Sequence, residues 1–547
     1  MMVKLGKKSI LSLLIAIVVL CIILKVLLVR AENTIINSFA EKVVVVNQDT
    51  PFQITYNGLD ISFGKRSFTL KGVLILPDSL VQSSSEVQPH ISVSTIHAKD
   101  FKLFPLLLKK SLDISKIQVD SLEVAIKKRS PVAPSKENDN VRKKENSNKV
   151  LRELLIREIE FSHFSLIEIS ANKIDTLQSL KGELLSIQEI DIVQESPEAK
   201  VFSFNLERLS ISALNQTLYL NTNQTRIELG QMTLDVPQGK AEFANLKIGE
   251  VDSLKTISKR QHFNTPVTSA NIQNLKCFGI QFDSLWQSKT LFVDSVQIKN
   301  AEISMLKNQN KPWNKEVVMP LPQQLLRKQK TDFWFGKIRV ADSQLNYIEL
   351  EEKESITIPI EHLNLEINSL GTKDAYFEKA NSDNMDVQMN GKLFGTISFH
   401  THLSFENPMK SDVFKFTGRT GPFKFESFNP IMVPTSNIKF ESGHVSRLDF
   451  SGSGNHLEAS GEFIMRFKDL ETVVLKKKSA KVNKTFSWLA NSAVQKENPK
   501  NGKLRVAQMD HKRVLYKGFG NYMFKTIESG LINSVYPFGK RKVVREE

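Results

Sequence analysis

Apolar side chains recur at alternate positions along most of the chain, in short runs separated by turn residues. Residues 43–46, 52–56, 59–63 and 68–76 are β-branched or alternating runs between Gly-containing turns, and residues 161–310 keep the same rhythm, which predicts strands. The clearest alternation lies near the C-terminus. In residues 396–406 one parity carries Ile397, Phe399, Thr401, Leu403 and Phe405, the other Ser398, His400, His402, Ser404 and Glu406. Residues 413–425 put Phe414 and Phe416 before, and Phe423 and Phe425 after, a Thr-Gly-Arg-Thr-Gly stretch read as a turn; residues 457–467 add Ala459, Phe463, Met465 and Phe467. Strict alternation predicts an antiparallel sheet with one wet and one dry face. Helical spacing is scarce. It occurs at residues 32–42 (Ile35, Ile36, Phe39), 150–158, 323–327, 484–495 (Phe486, Leu489, Ala490, Ala493, Val494) and 519–535 (Phe519, Tyr522, Met523, Ile527, Leu531, Val535). So few helices cannot cover so much sheet. The dry face must close on itself as a sandwich or stay open as a long, curved groove.

A motif of strand, short break and strand recurs. It reads Ile117, Val119, Leu122, Val124, Ile126; then Ile159, Phe161, Phe164, Leu166; then Val296, Ile298, Ala301, Ile303, Met305; then Ile338, Val340, Ser343, Leu345, Tyr347. The break changes the parity of the apolar positions, so a bulge or turn is expected there. The segments before the first and third copies, residues 91–112 and 272–291, are also alike, which points to an internal duplication.

The N-terminus has a different pattern. Lys4, Lys7 and Lys8 precede an apolar run over residues 10–24 that resumes at 26–29 after Lys25. Its positions, Ile10, Leu14, Val18, Leu24 and Val29 among them, make a helix long enough for the roughly 30 Å hydrocarbon core. Lys25 is placed to snorkel. A cleaved signal peptide ending at Ala31 is the rival reading, but the run is longer than a usual h-region. Leu20 before Cys21 argues against a lipobox. The leading lysines predict a cytoplasmic N-terminus with the rest exported, although Lys25 and Arg30 weaken that cue. Outside this run Cys277 is the one remaining cysteine, so no intramolecular disulfide can form there. Asn215, Asn223 and Asn483 head sequons of the kind that Asn-rich chains contain by chance.

The net charge of +15 favours anionic surfaces. Phe is abundant at 34 residues against 7 Tyr and 4 Trp, a bias suited to a dry face. The basic clusters at 127–129, 142–144 and 476–478 lack interleaved aromatics, so solvated or membrane-adsorbing loops are expected and no nucleic acid. There is no HExxH, Walker A, G-x-S-x-G or paired-cysteine metal motif. His400 and His402 have metal-like spacing on a strand but fall on the wet parity, and His444 and His456 flank a Gly-rich hairpin. Gly452 and Gly454 read as part of that hairpin turn, not as a phosphate loop. No catalytic residue, metal or cofactor is expected; a hydrolase with a dispersed active site is the weakest reading.

The strand series at 54–63 and 68–75, residues 93–104 leading to Leu106, Leu112, Ile114, Ile117 and Leu122, and Phe428, Asn429 and Pro430 ahead of the strands at 438–450 and 457–467 resemble the AsmA-like proteins of the Gram-negative envelope. The resemblance implies an inner-membrane anchor, a periplasmic β-rich body similar to bridge-like lipid-transfer proteins, and a role in phospholipid movement or outer-membrane homeostasis. The chain is shorter than the largest members. The expected architecture is therefore mainly β: a cytoplasmic tip and transmembrane helix (1–30), then an elongated, curved antiparallel β-sheet groove with a few amphipathic helices. Its parts are an N-terminal β region (31–127), a polar loop (128–149), a central β region (150–311), a connector (312–330), a C-terminal β region (331–470), and a basic segment with C-terminal helices (471–547). The expected ligand is membrane phospholipid, with other envelope proteins as further partners. The expected groove lining is Phe399, Phe405, Phe414, Phe416, Phe423, Phe425, Phe463 and Phe467. The competing expectation is a scaffolding envelope protein whose dry face is buried in a closed β-sandwich.

Overall fold

The computed structural model describes residues 52–62, 64–77, 87–102, 111–128, 153–169, 176–194, 202–205, 208–220, 224–351, 355–436, 438–475, 494–536 and 538–545. The chain is mainly β, with few helices. It divides into two compact units, Met1–Val251 and Asp252–Glu547. The division falls inside the segment expected to be one central β region. The helices expected at 32–42 and, apart from its last two residues, at 484–495 lie outside the described residues. So do the anchor positions Ile10, Leu14, Val18, Leu24 and Val29.

The first unit is a single run of strands. They are β1 (Phe52–Thr55), β2 (Gly58–Ser62), β3 (Ser67–Pro77), β4 (Val87–Phe101), β5 (Ser111–Lys128), β6 (Glu153–Phe161), β7 (Phe164–Ile169), β8 (Thr176–Gly182), β9 (Leu184–Gln194), β10 (Phe202–Asn205), β11 (Ser210–Leu220), β12 (Thr225–Asp235) and β13 (Lys240–Glu250). β1 and β2 pair with successive halves of β3. β4 and β5 follow as antiparallel neighbours. β6 and β7 then lie end to end along β5, and β9 and β8 end to end along them. β11 to β13 complete the sheet.

Two expectations are corrected here. Of residues 150–158, read as a short helix, 150–152 lie outside the described residues and those from 153 on belong to β6. Its Leu, Arg and Glu residues favour a helix locally. Burial of Ile156, Ile159 and Phe161 between β5 and β9 outweighs that preference. The sheet is also not purely antiparallel, because β6 and β7 run parallel to β5.

The second unit comprises β14 (Val267–Phe278), β15 (Leu291–Asn308), β16 (Phe333–Leu350), β17 (Ser355–Gly371), β18 (Asn384–Leu393), β19 (Ile397–Glu406), β20 (Phe414–Thr420), β21 (Phe423–Lys424), β22 (Ile438–Gly454), β23 (Glu458–Val474), β24 (Lys503–Lys512) and β25 (Arg541–Arg545). They are paired in this order, with β20 and β21 both on β22. Its helices among the described residues are α1 (Leu254–Arg260), α2 (Phe282–Gln287), α3 (Pro322–Arg327), α4 (Asp374–Lys379), α5 (Asn429–Ser436) and α6 (Phe519–Val535). α3 and α6 occupy the places the spacing predicted. The Thr-Gly-Arg-Thr-Gly stretch is not a turn. It continues β20 as far as Thr420, and the chain kinks at Gly421 and Pro422 before resuming along β22 as β21. Gly418 is needed within β20 because the Phe450 ring lies where its Cβ would be, 2.1 Å away.

The repeat seen in the sequence has a structural counterpart. β15 and β16 form the second unit's parallel pair, aligning Val296 with Ile338, Ile298 with Val340 and Ile303 with Leu345. In the first unit Ile117 aligns with Ile159, Val119 with Phe161 and Val124 with Leu166. Adding 179 to each number of the second set gives the first. The same offset carries the β4–β5 pairs Val93 with Leu122 and Thr95 with Asp120 onto Ile272 with Ala301 and Asn274 with Lys299. The expected breaks recur at that offset too: Ser121 and Asn300 both have φ 54, and Asp100 (φ 53) corresponds to Gly279 (φ 66). At these seams one residue from each strand drops out of the ladder, and side chains beyond it change face. Small or short polar residues supply most of these left-handed positions, as their modest steric cost there requires.

Candidate functional site

Because the seams lie level across neighbouring strands, the parity changes cancel and one face of the first unit stays largely apolar from β3 to β9. Phe68, Leu70, Val73 and Ile75 of β3, Val93 and Ile96 of β4, and Ile117, Val119, Leu122 and Val124 of β5 all belong to it. Ile156, Ile159 and Phe161 of β6, Phe164 and Leu166 of β7, and Leu185, Ile187 and Ile190 of β9 extend it. None of these is more than 6% exposed. Glu168 of β7, buried beside Ile126 and accepting a hydrogen bond from Gln178, also sits on this face. No described helix belongs to this unit. The opposite face is charged. Lys116 lies 2.8 Å from Glu160 and 3.2 Å from Glu158 across the parallel pair. The hydrogen bond from Lys116 holds the Glu160 carboxyl below its usual range, against the opposing effect of burial. Thr69 Oγ1 and His97 Nδ1 are 2.7 Å apart on this wet face, beside an open depression of about 460 Å³ lined by Asp60, Lys65 and Asp100 among others.

The phenylalanines expected to line a groove lie in the second unit. Phe405, Phe414, Phe416, Phe423, Phe425, Phe463 and Phe467 are at most 6% exposed and belong to one cluster with Tyr522 of α6. Phe414 packs edge-on to Phe519 at 5.2 Å and lies 6.0 Å from Tyr522. It is 6.1 Å from Phe405 and 6.2 Å from Phe416. Phe425, in a 3-10 turn and not a strand, meets Phe467 at 5.7 Å. Phe399 is half-buried against Gly391 and stands outside the cluster. These seven rings therefore face protein. Gly452 and Gly454 end β22 ahead of the turn at Asn455 and make room for the rings of Phe416 and Phe414 opposite them. α6 closes the cluster through its buried Tyr522, Thr526, Gly530 and Ser534. A Cβ on Gly530 would lie 2.6 Å from Phe463 Cβ, so glycine sets how closely the helix can sit.

The polar candidates stay apart. His402 Nε2 is 3.0 Å from Asp386 Oδ1 on the wet face. His400 lines an open depression of about 430 Å³ with Arg419, Arg447 and Asp449. His456 instead meets Gln324 and Arg513, each 3.3 Å from its Nδ1. Arg513, which also donates to the Met319 carbonyl, fastens the segment before α3 to the end of the β22–β23 hairpin. Among the described residues no group of three His, Cys, Asp or Glu could hold a metal ion, and no helix is long and apolar enough to cross a membrane. Sequence reasoning missed the exposed aromatic row ending at Phe538, although Tyr536, Phe538 and the cations that follow were there to be read.

Neither protein-family models nor curated proteins give any match to the chain. The AsmA-like resemblance thus rests on sequence pattern alone.

Proposed function

We propose that this is a non-enzymatic, inner-membrane-anchored protein of the periplasm that handles phospholipid, holding acyl chains along the apolar face of its first unit. The observation that carries this reading is the continuity of that face. From β3 to β9 the apolar positions named above are all hydrocarbon and the level seams keep them on one face, with Glu168 beside Ile126 at its β7 end. These side chains pack to 6% exposure or less against the unit's own strands, and no described helix of the unit lies over them. An acyl chain gains about 0.8 kcal/mol per methylene on leaving water, so a dozen methylenes on such a face lower the barrier to moving a lipid by roughly 10 kcal/mol. The work needs apolar contact and no catalyst. The apolar run at 10–29 with its leading lysines and the +15 charge support the membrane setting.

The test is lipid photo-crosslinking from Ile117, Leu122 and Ile159, with Gln118, Glu123 and Glu160 as opposite-parity controls, together with native mass spectrometry of the full chain. Lipid labelling confined to the apolar positions is expected. Equal labelling on both faces, or folded protein without lipid, would sink the proposal.

The second unit favours the other reading for its own part. Its aromatic cluster is closed by α6, as a structural body requires. Crosslinkers at positions 416 and 463 should then capture protein and no lipid.

A further inference from the structure

The outer side of α6 carries a row of apolar groups that the core does not use. Phe524 is 56% exposed, Ile532 53% and Tyr536 47%; Phe538, on the turn into β25, is 85% exposed. Phe524 and Ile532 are eight residues apart and so share one helix face, and the row continues past the end of the helix to Phe538. Tyr536 and Phe538 pack edge-on at 5.9 Å, which makes the turn a small aromatic knob. Cations surround it. The ammonium of Lys525 sits 5.5 Å over the Phe524 ring, and Lys540, Arg541 and Lys542 follow the knob directly. Residues 494–545 hold twelve Lys or Arg against three Asp or Glu, ahead of Glu546 and Glu547. Part of that charge is spoken for, since Lys525 pairs with Glu528, Lys540 with Asp510 and Lys542 with Glu462; the excess remains.

We propose that this face seats on an anionic phospholipid surface, with Phe538 and Ile532 entering the headgroup boundary and the cations meeting lipid phosphates. The chemistry favours a membrane over a protein. The apolar row is narrow and rimmed by lysine, a residue depleted from protein interfaces, whereas shallow insertion of a few apolar groups among cations is what an interfacial helix uses. Each cation near an anionic leaflet strengthens binding roughly fivefold. The proposal rests on the lipid-handling reading, and gives that protein a second membrane contact far along the chain from residues 10–29.

The full chain, held in neutral phosphatidylcholine nanodiscs, is mixed with fluorescent vesicles of phosphatidylcholine alone or with about one third phosphatidylglycerol, and captured material is floated. Capture of the anionic vesicles, several-fold above neutral ones and falling with salt, is expected. Phe538→Ser with Ile532→Ser should lose most of it, as should Lys540→Gln with Lys542→Gln, while thermal melting stays unchanged. Equal capture by wild type and variants, or no preference for anionic vesicles, overturns the proposal. So does self-association abolished by Phe538→Ser without vesicle capture, which would make a second copy the occupant. Crosslinking from Ile117 separates the two ideas. Lost lipid there with vesicle capture intact refutes only the groove; intact lipid without capture refutes only this surface.

Discussion

Replacing Phe414 by Ala tests whether the second unit's aromatic cluster is a closed core. Phe414 is fully buried and touches rings from three directions, Phe405, Phe416 and Phe519. Truncating a buried Phe costs about 3–5 kcal/mol, more where the site cannot collapse. Collapse is limited here because the wall beneath the ring is Gly454, which has no side chain to move in. The upper end of the range is therefore expected, a fall of roughly 10–15 °C for a unit of this size. The tryptophans, Trp286, Trp313, Trp334 and Trp488, all follow Val251 in the sequence, the first three among the described residues of the second unit, so intrinsic tryptophan fluorescence reports that unit's unfolding selectively, which a chain of two units requires. Phe414→Leu should cost much less. Phe416→Asp should abolish the transition, because it buries an unpaired charge at a cost of several kcal/mol. A Phe414→Ala protein that melts within a few degrees of wild type but has lost bound lipid would refute the closed core and place lipid against these rings.

Gly530→Ala should destabilise the same transition by about 1–3 kcal/mol through overpacking against Phe463 and Met509, despite a gain in helix propensity near 1 kcal/mol; a stabilised variant would contradict the close approach of α6. Burial, and then Lys525, hold the His511 imidazole below its usual 6.5, and its buried Nε2 finds no partner among the described residues. The unfolded chain then binds the proton first, so stability is full above pH about 6.5 and falls as the pH drops below it; denaturant melts from pH 8 to 5 should show this slope, reduced in His511→Gln. Burial pushes the Cys277 thiol up to about 11, so at pH 8 it should react with iodoacetamide orders of magnitude more slowly than a free thiol, and a rate near that of the unfolded chain would disprove its burial.

The parity of Phe405, Phe414, Phe416, Phe463 and Phe467, the wet placement of His400 and His402, and the extent of α6 were all legible because local periodicity decides them. The repeat was legible as well, since its breaks change the parity within each copy. What meets a dry face was not. The same phenylalanines fit a groove or a core, and the helix that packs on them does so through small residues at 526, 530 and 534. Those residues carry no hydrophobic signal. The parallel partners of β5 and β15 were hidden for a related reason. A strand buried between two neighbours shows its periodicity but not the direction of either neighbour, and in β6 helix-favouring residues hid the strand up to residue 158, leaving only Ile159 to Phe161 legible.

The level seams also constrain how such a chain can change. Inserting one residue directly after Ser121 would turn Leu122, Val124 and Ile126 outward, while β4 and β7 still presented their apolar sides inward. No single neighbour could compensate, because each strand's phase is tied to the next. Insertions and deletions of one residue should therefore be purged within strands and accumulate in the connections. Growth is left with one easy route, copying several strands together with their breaks already in phase. Two blocks related by a constant offset of 179 residues are what that route leaves behind.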